Sequence, residues 1–204
     1  MITLICGYKR TGKDTLVKMC NGDEEFKWVV YKNPNSDDIF HIRPTRRLAF
    51  AYKLRLEVSI LLGIDESIDY DTFKEVIVKD GKTYRDFLIE HAALRRSEDI
   101  DYWVRKAVDW DNLSSDDRIS VTDWRYPNEL DYIRQYEHLN VTTVRVYRSD
   151  VPVPSDEDIS EHQLDNIITD FLLVTSDDEF EQACILFPQY KNYVRTTVCN
   201  KCHV

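Results

Sequence analysis

The spacing of two glycines and a lysine near the amino terminus constrains the fold more than any other feature. Residues 2–6 (ITLIC) form a continuous apolar run, and the segment GYKRTGK follows at positions 7–13. A short apolar run of this kind predicts a buried parallel strand. Gly7, Gly12 and Lys13 then stand at the spacing of a phosphate-binding loop between a strand and a helix. The alternative is an ordinary glycine-containing turn with surface lysines.

Asp14 follows the lysine where Ser or Thr is expected in such a loop. A carboxylate beside bound phosphates would be repelled unless a cation lay between them, and Mg²⁺ accepts carboxylate ligands directly or through water. Asp14 is therefore expected to hold Mg²⁺ or to face an acceptor substrate, and Thr15 is a second candidate for the hydroxyl contact. The alternative is that Asp14 only stabilises the first turn of the helix.

Further apolar runs alternate with amphipathic stretches along the chain. The pattern predicts a mainly parallel sheet whose strands include residues 2–6, 119–123, 142–147 and 170–174. Helices are expected from Pro44 to about residue 62, at 72–79, 83–96 and 99–110, from Pro127, and near 178–187. We therefore predict an α/β fold, a three-layer α/β/α sandwich with a mainly parallel five-stranded sheet.

Composition narrows the function classes. A chain of 204 residues with 43% hydrophobic content can bury one substantial core, so a single domain is expected. The net charge of −10 argues against nucleic acid as a partner. The sequence has neither an apolar run long enough for a membrane span nor a signal-peptide profile. Five scattered cysteines indicate a reducing, cytoplasmic compartment, and Cys199, Cys202 and His203 resemble half of a zinc site.

Several motifs resemble known kinase families. The loop residues Gly7, Lys9, Arg10, Gly12, Lys13, Asp14 and Thr15 resemble the P-loop of the deoxynucleoside monophosphate kinases of phages and large DNA viruses. Residues 122–129 (TDWRYPNE) are similar to the D-x-R-x-x-x-E motif of those kinases, and residues 160–166 to their S-E-x-x-L segment. The segments 70–75, 84–96 and 102–108 resemble the animal-type phosphomevalonate kinases instead, which carry a similar loop.

The resemblance implies a P-loop NTPase fold of the nucleoside monophosphate kinase type over residues 1–204. It implies an acceptor-binding helical segment at about 43–110 and a lid-like segment at about 148–163. The implied activity is ATP-dependent, Mg²⁺-assisted phosphorylation of a small substrate, a deoxynucleoside monophosphate, in the host cytoplasm if the chain is viral. A homodimer is compatible with it. The alternatives are phosphorylation of a small phosphorylated acid such as phosphomevalonate, and a non-catalytic nucleotide-binding module.

The expected site residues follow from the motifs and from the chemistry of phosphoryl transfer, which needs positioning and charge neutralisation. Lys13 and Arg10 are expected to neutralise the transferring group, while Asp14, Thr15 and Asp123 organise Mg²⁺. Asp123 is chosen because it ends a predicted strand, where the ligands of open α/β sheets collect. The expected ATP-binding set is Gly7, Lys9, Arg10, Gly12, Lys13, Asp14, Thr15 and Arg148.

The expected substrate-binding set is Lys9, Arg46, Arg85, Arg95, Trp103, Arg125 and Glu161. Planar guanidinium groups suit phosphate capture, and Trp103, with Tyr102, Trp124 and Tyr126, offers rings on which a base could stack. Two alternatives stay open here: Arg125 pairs with Glu129, or Glu161 merely starts a helix capped by Ser160. Arg148 is the one lid candidate because residues 149–190 contain no Lys or Arg.

Overall fold

The computed structural model describes residues 1–65, 67–155 and 158–198. The predicted features at Cys199, Cys202 and His203 lie outside this range. Within it the strands are β1 (Ile2–Cys6), β2 (Val29–Lys32), β3 (Arg46–Leu48), β4 (Ile77–Lys79), β5 (Lys82–Thr83), β6 (Ile119–Val121), β7 (Val141–Val146), β8 (Phe171–Val174) and β9 (Val194–Thr196). The α-helices are α1 (Lys13–Cys20), α2 (Ala51–Leu62), α3 (Tyr70–Phe73), α4 (Tyr84–Glu98), α5 (Tyr102–Ala107), α6 (Pro127–Ile133), α7 (Ile159–His162) and α8 (Asp177–Leu186).

The central sheet is mainly parallel, as predicted, but it has seven strands and not five. Its order is β3-β6-β1-β7-β8-β2-β9. The neighbours from β3 to β8 pair in parallel, whereas β2 pairs antiparallel with both β8 and β9. The four strands expected from the sequence lie side by side as β6, β1, β7 and β8. The extra strands are short segments that complete the two edges, and their pairing depends on partners distant in sequence.

The segment after Pro44 is extended, so the predicted helix start there is wrong. Arg46 is aligned with Ile119 in a parallel pair, and its N–H donates to the carbonyl of Arg118 at 2.9 Å. The backbone groups of β6 on this side need partners, and pairing with them outweighs the preference of proline for a first helical turn. The helix α2 begins only at Ala51.

The predicted helix at 72–79 is also wrong. α3 ends at Phe73, and Ile77–Lys79 instead form a hairpin with Lys82–Thr83. Asp80 and Gly81 link the two strands with φ values of 50° and 75°. Two successive residues at positive φ make the tight turn that matches strand twist, so the turn selects a hairpin over a continuous helix.

Apolar side chains cover both faces of the sheet. Along β8 successive side chains point to opposite faces. Phe171 and Leu173 pack in a cluster with Leu16 and Val17 of α1, whereas Leu172 and Val174 pack with Ala183 of α8. The run FLLV is therefore buried throughout, as expected for a strand between two layers of side chains.

The chain divides into two compact units. The sheet unit comprises Met1–Leu48 and the chain from Leu113 onward, and the helical unit comprises Ala49–Asn112. The helical unit contains α2 to α5 and has its own cluster around Val58, Tyr84 and Leu88. That residues 1–204 form a single domain stays a prediction. In the part of the chain that the structure describes, no helix is long and apolar enough to cross a membrane.

Candidate functional site

The loop between β1 and α1 has backbone torsions that ordinary residues seldom adopt. Gly7 has φ 137°, and a Cβ atom there would lie 2.3 Å from the carbonyl oxygen of Val146. Arg10 has φ 71° and Gly12 has φ 97°. Left-handed residues interspersed in a loop turn backbone N–H groups toward one side, which forms an anion-binding concavity. Such torsions at a non-glycine residue also tend to mark functional sites.

Lys13 begins α1 and its side chain folds back over this loop. Its Nζ donates to the carbonyl oxygens of Gly7 at 2.6 Å and Tyr8 at 2.8 Å. Burial lowers the pKa of Lys13, and the nearby Glu161 carboxylate opposes that effect. The arrangement places an ammonium group at the mouth of the loop, next to the backbone groups that would surround a phosphate.

Glu161 and Arg125 meet at the same loop, although they are 36 residues apart in sequence. Arg125 Nη1 donates to Glu161 Oε1 and, at 3.1 Å, to Ser160 Oγ. The other carboxylate oxygen of Glu161 accepts the backbone N–H of Lys9 at 3.0 Å. Glu161 therefore connects α7 to the loop, and its side chain is only 5% exposed.

Arg125 and Ser160 each contact an acidic side chain in this region. Glu129 accepts the backbone N–H groups of Arg125 at 3.0 Å and Tyr126 at 3.1 Å, while the guanidinium of Arg125 reaches Glu161. Ser160 is not the cap of α7, because the helix begins one residue earlier and the cap position is Asp158. The hydroxyl of Ser160 instead donates to Asp158 Oδ1 at 2.9 Å.

A cavity of about 50 Å³ lies where these segments meet. Residues of the loop, of the end of β6 and of α7 line it, and they include Gly7, Lys13, Asp123, Arg125 and Glu161. Asp123 follows β6 at the carboxyl end of the parallel strands, as the sequence predicted. The structure therefore brings together five of the expected site residues from three distant parts of the sheet unit.

Arg145 also lines this cavity, and the sequence analysis missed it. It lies on β7 with 2% of its surface exposed, donates to Tyr190 Oη at 2.8 Å and to the carbonyl of Leu164, and packs on the ring of Phe187. The signal was an arginine within the apolar run 141–147. A charged residue there must be hydrogen-bonded to be tolerated.

Arg47, and not the expected Arg46, lies beside Asp14. Arg47 Nε donates to Asp14 Oδ1 at 2.8 Å and to Thr122 Oγ1 at 3.1 Å. Hydrogen bonds from Ser114 lower the pKa of Asp117, and Arg46 adds to that effect. Asp117 precedes β6, whereas Asp123 follows it. Arg46 therefore lies toward the start of β6 and not at the loop between β1 and α1.

Four further expected site residues lie in the sheet unit. Lys9 and Arg10 are exposed, and Thr15 is half-buried on α1. Arg148 Nε donates to Asp150 Oδ1 at 2.9 Å, so the single lid candidate is engaged by an acidic neighbour.

In the helical unit, Trp103 is a core residue and the expectation of a stacking ring is wrong. It is 3% exposed, and its indole N–H donates to the carbonyl of Ala92 at 3.3 Å. In the sheet unit Trp124 is likewise 2% exposed. Arg85 lies 3.5 Å from Glu75, and Arg95 contacts Glu98 at 3.1 Å.

The helical unit has a cavity of its own, of about 260 Å³. Its lining includes four aromatic side chains and one arginine: Tyr52, Tyr70, Phe73, Tyr84 and Arg55. The guanidinium of Arg55 lies 5.4 Å from the centre of the Tyr70 ring, within the range of a cation–π contact. The hydroxyls of Ser59 and Tyr84 are 2.9 Å apart in the same wall.

The residues of the loop suit a phosphate and a hard cation. Among the residues that the structure describes, no group of three or more His, Cys, Asp or Glu side chains could hold a metal ion. Mg²⁺ bound to a nucleotide needs only one or two carboxylates, because phosphate oxygens and water complete its octahedron. Asp123 at the cavity and Asp14 on the first turn of α1 are the carboxylates that the sequence assigns to Mg²⁺, and Glu161 is a third carboxylate at the loop, where it is paired with Arg125.

No known protein-family model matches this sequence, and no curated protein is detectably similar to it.

Proposed function

We propose that this chain is a P-loop kinase with a three-layer α/β/α fold of the nucleoside monophosphate kinase type, which phosphorylates a deoxynucleoside monophosphate with ATP. The observation that carries the proposal is the meeting of Lys13, Asp123 and Arg125 around a glycine loop at the carboxyl ends of β1 and β6. Phosphoryl transfer needs this combination of fixed cations, oriented N–H donors and a carboxylate.

Each group has a role in the proposed reaction. The backbone N–H groups of residues 7–13 would hold the phosphates, except those of Lys9 and Thr11, which donate to Glu161 and to the Tyr8 carbonyl. The ammonium of Lys13 would neutralise charge on the phosphate oxygens in the transition state.

The guanidinium of Arg125 provides further N–H donors for phosphate oxygens; Glu161 holds it in position and balances its charge. Asp123 and Asp14 would hold Mg²⁺, which supplies further charge neutralisation when bound.

The lysine is kept in place by its contacts with Gly7 and Tyr8. Because those contacts already orient the ammonium, little side-chain freedom is lost when a phosphate binds. Preorganised charge of this kind is usually the largest contribution to rate in reactions of this class. The fixed position of the Lys13 ammonium therefore favours a catalytic role for the loop over a purely structural one.

The helical unit, taken by itself, has a cavity lined by aromatic rings, which is the type of lining that suits a nucleobase. With Trp103 and Trp124 buried, the rings of Tyr52, Tyr70 and Phe73 are the better candidates for stacking on a base. A stack on an aromatic side chain contributes roughly 1–3 kcal/mol for each base. A small branched phospho-acid has no ring and would leave such a cavity without a partner.

The test is a substrate panel. The purified protein is incubated with ATP and Mg²⁺ and, separately, with each of the four deoxynucleoside monophosphates and with phosphomevalonate, and diphosphate product is measured. Turnover of one or more deoxynucleotides is expected. Turnover of phosphomevalonate alone would refute the proposed deoxynucleotide substrate, but it would still be consistent with phosphoryl transfer. ATP binding without turnover of any acceptor would favour a non-catalytic nucleotide-binding module.

A further inference from the structure

A second cavity of the sheet unit lies between α1 and the sheet, where Thr3 and Ile5 of β1 and Leu16 and Val17 of α1 line it. It has a volume of about 30 Å³ and reaches Thr3 near the start of β1 and Thr142 near the start of β7. This cavity shares no lining residue with the cavity at the loop, so it is separate from the proposed phosphoryl-transfer site.

Three basic side chains surround this cavity in a protein whose net charge is −10. His41, Arg43 and Arg118 line it, together with the hydroxyl residues Ser120 and Thr142. The carboxylate that bears on His41 is Asp38, and its Oδ2 accepts the hydroxyl of Thr142 at 2.6 Å. Of the charged groups that act on His41, the two arginines therefore outnumber the one carboxylate.

Two nitrogen atoms of this cluster are buried without a partner. In the described part of the chain, neither Nδ1 of His41 nor Nε of Arg43 has a hydrogen-bond partner, although both atoms are buried. Buried polar groups in folded proteins are nearly always satisfied, and each exception requires an explanation such as an ion or a water molecule. Nε of Arg43 is always a donor, and Nδ1 of His41 is a donor when it carries a proton, so an acceptor in the cavity would then satisfy both atoms.

We propose that this cavity is a second anion site, which binds the phosphate group of a small molecule or inorganic phosphate. The guanidinium groups of Arg43 and Arg118 provide the planar donors that phosphate oxygens favour. A cavity of about 30 Å³ has room for about two oxygen-sized atoms, since one water molecule needs at least 10–15 Å³, so it would admit two oxygens of the phosphate and not the whole group. The site does not depend on the proposed kinase activity.

The ionisation of His41 gives the site a distinct signature. Burial, followed by the charges of Arg43 and Arg118, lowers the pKa of His41, and Asp38 acts in the opposite direction. A bound anion would stabilise the imidazolium and raise the pKa of His41. Linkage then requires that the anion bind more tightly as the pH falls through the pKa of His41 in the complex.

The experiment follows the His41 Hε1 resonance by NMR, assigned with the His41→Asn variant, while phosphate is added at constant ionic strength. The protein carries Lys13→Ala, so that phosphate at the loop between β1 and α1 does not contribute. We expect a saturable shift and a raised pKa of His41. The titration is repeated with glycerol phosphate. Comparison of the two affinities shows whether the site prefers a phosphomonoester or inorganic phosphate.

Two variants and a control complete the test. Arg43→Gln or the exposed Arg118→Gln should weaken phosphate binding at least about tenfold, which matches the loss of one charged hydrogen-bonding partner. Arg134→Gln, an exposed arginine at the end of α6, should leave binding unchanged. Absence of a saturable shift in the folded Lys13→Ala protein, or an equal loss of affinity in Arg134→Gln, would overturn the proposal.

Discussion

The Nε atom of Arg47 donates a hydrogen bond of 2.8 Å to Oδ1 of Asp14. Asp14 occupies the position where a phosphate-binding loop usually has a hydroxyl residue, and its charge is balanced by a side chain from the edge strand β3. The same Nε reaches Thr122 at the end of β6. Arg47 therefore links the first turn of α1 to the strand that leads to Asp123.

This relationship distinguishes two adjacent arginines. We expect Arg47→Gln to lower kcat/KM of phosphoryl transfer on the order of tenfold, because Asp14 would lose the cation that orients it. Arg46→Gln, the matched control, should change it by less than about twofold, since Arg46 lies toward the other end of β6. Steady-state kinetics on both variants decides this. An equal loss in the two variants, or a larger loss in Arg46→Gln, would contradict the assignment.

The loop glycine at position 7 gives a prediction on stability. Gly7→Ala would place a methyl group 2.3 Å from the Val146 carbonyl at a φ of 137°. We expect a loss of about 3 kcal/mol or more in the free energy of unfolding, because steric overlap is added to backbone strain. Gly22→Ala also has a positive φ but no neighbour within 4 Å, so about 1 kcal/mol is expected there. Urea denaturation measures the free energy of unfolding of both variants. Similar losses would mean that the close approach of Gly7 to the Val146 carbonyl does not restrict the side chain at position 7.

The pair of Arg125 and Glu161 should contribute measurably to stability. Arg125→Ala leaves a carboxylate that is 5% exposed without its cation, for which we expect a loss of about 2 kcal/mol. In a double-mutant cycle with Glu161→Gln, the coupling energy should exceed about 1 kcal/mol. The exposed pair of Arg148 and Asp150 is the control, with an expected coupling below about 1 kcal/mol. A coupling near zero for Arg125 and Glu161 would show that the contact does not hold α7 to the loop.

Glu179 gives a pH-dependent prediction. Burial would raise its pKa, but hydrogen bonds from Thr175 and Ser149 outweigh this and lower the pKa below the ordinary value of 4.5. A carboxylate with a depressed pKa in the folded state stabilises the protein above its unfolded pKa, and the contribution is lost as the pH falls through the folded pKa. We therefore expect the wild type to exceed Glu179→Gln in stability at neutral pH, and the difference to shrink below pH 4.5. A difference that grows on acidification would have the wrong sign.

The local part of the fold could be predicted from the sequence. β1, the loop and the start of α1 depend on an apolar run, two glycines and a lysine that are close in the chain, and the four parallel strands depend on short apolar runs. β3 and β9 could not be predicted because a three-residue strand is fixed by the strand beside it. For the same reason the sequence could not show that Arg47, and not Arg46, lies beside Asp14. Residues 44–62 were expected to be helical, so the alternation of side chains along a strand was not considered there.

The candidate site was predicted in part for the same reason. Lys13 and Asp123 were identified from their places next to strands, where the ends of parallel strands meet. Trp103 was misjudged because an aromatic residue on an amphipathic helix can face the core or a ligand, and only the packing of α5 decides between them. Arg145 was missed because its partners, Tyr190 and the Leu164 carbonyl, come from segments that the sequence does not connect to β7.

The most direct test of the account is phosphoryl transfer from ATP by the Lys13→Ala variant, measured with Mg²⁺ and the best deoxynucleoside monophosphate of the panel. Lys18→Ala, an exposed lysine on the same helix, is the control. We predict that Lys13→Ala lowers kcat on the order of 10²-fold or more, whereas Lys18→Ala retains wild-type turnover. A folded Lys13→Ala protein that keeps most of its activity would contradict the account.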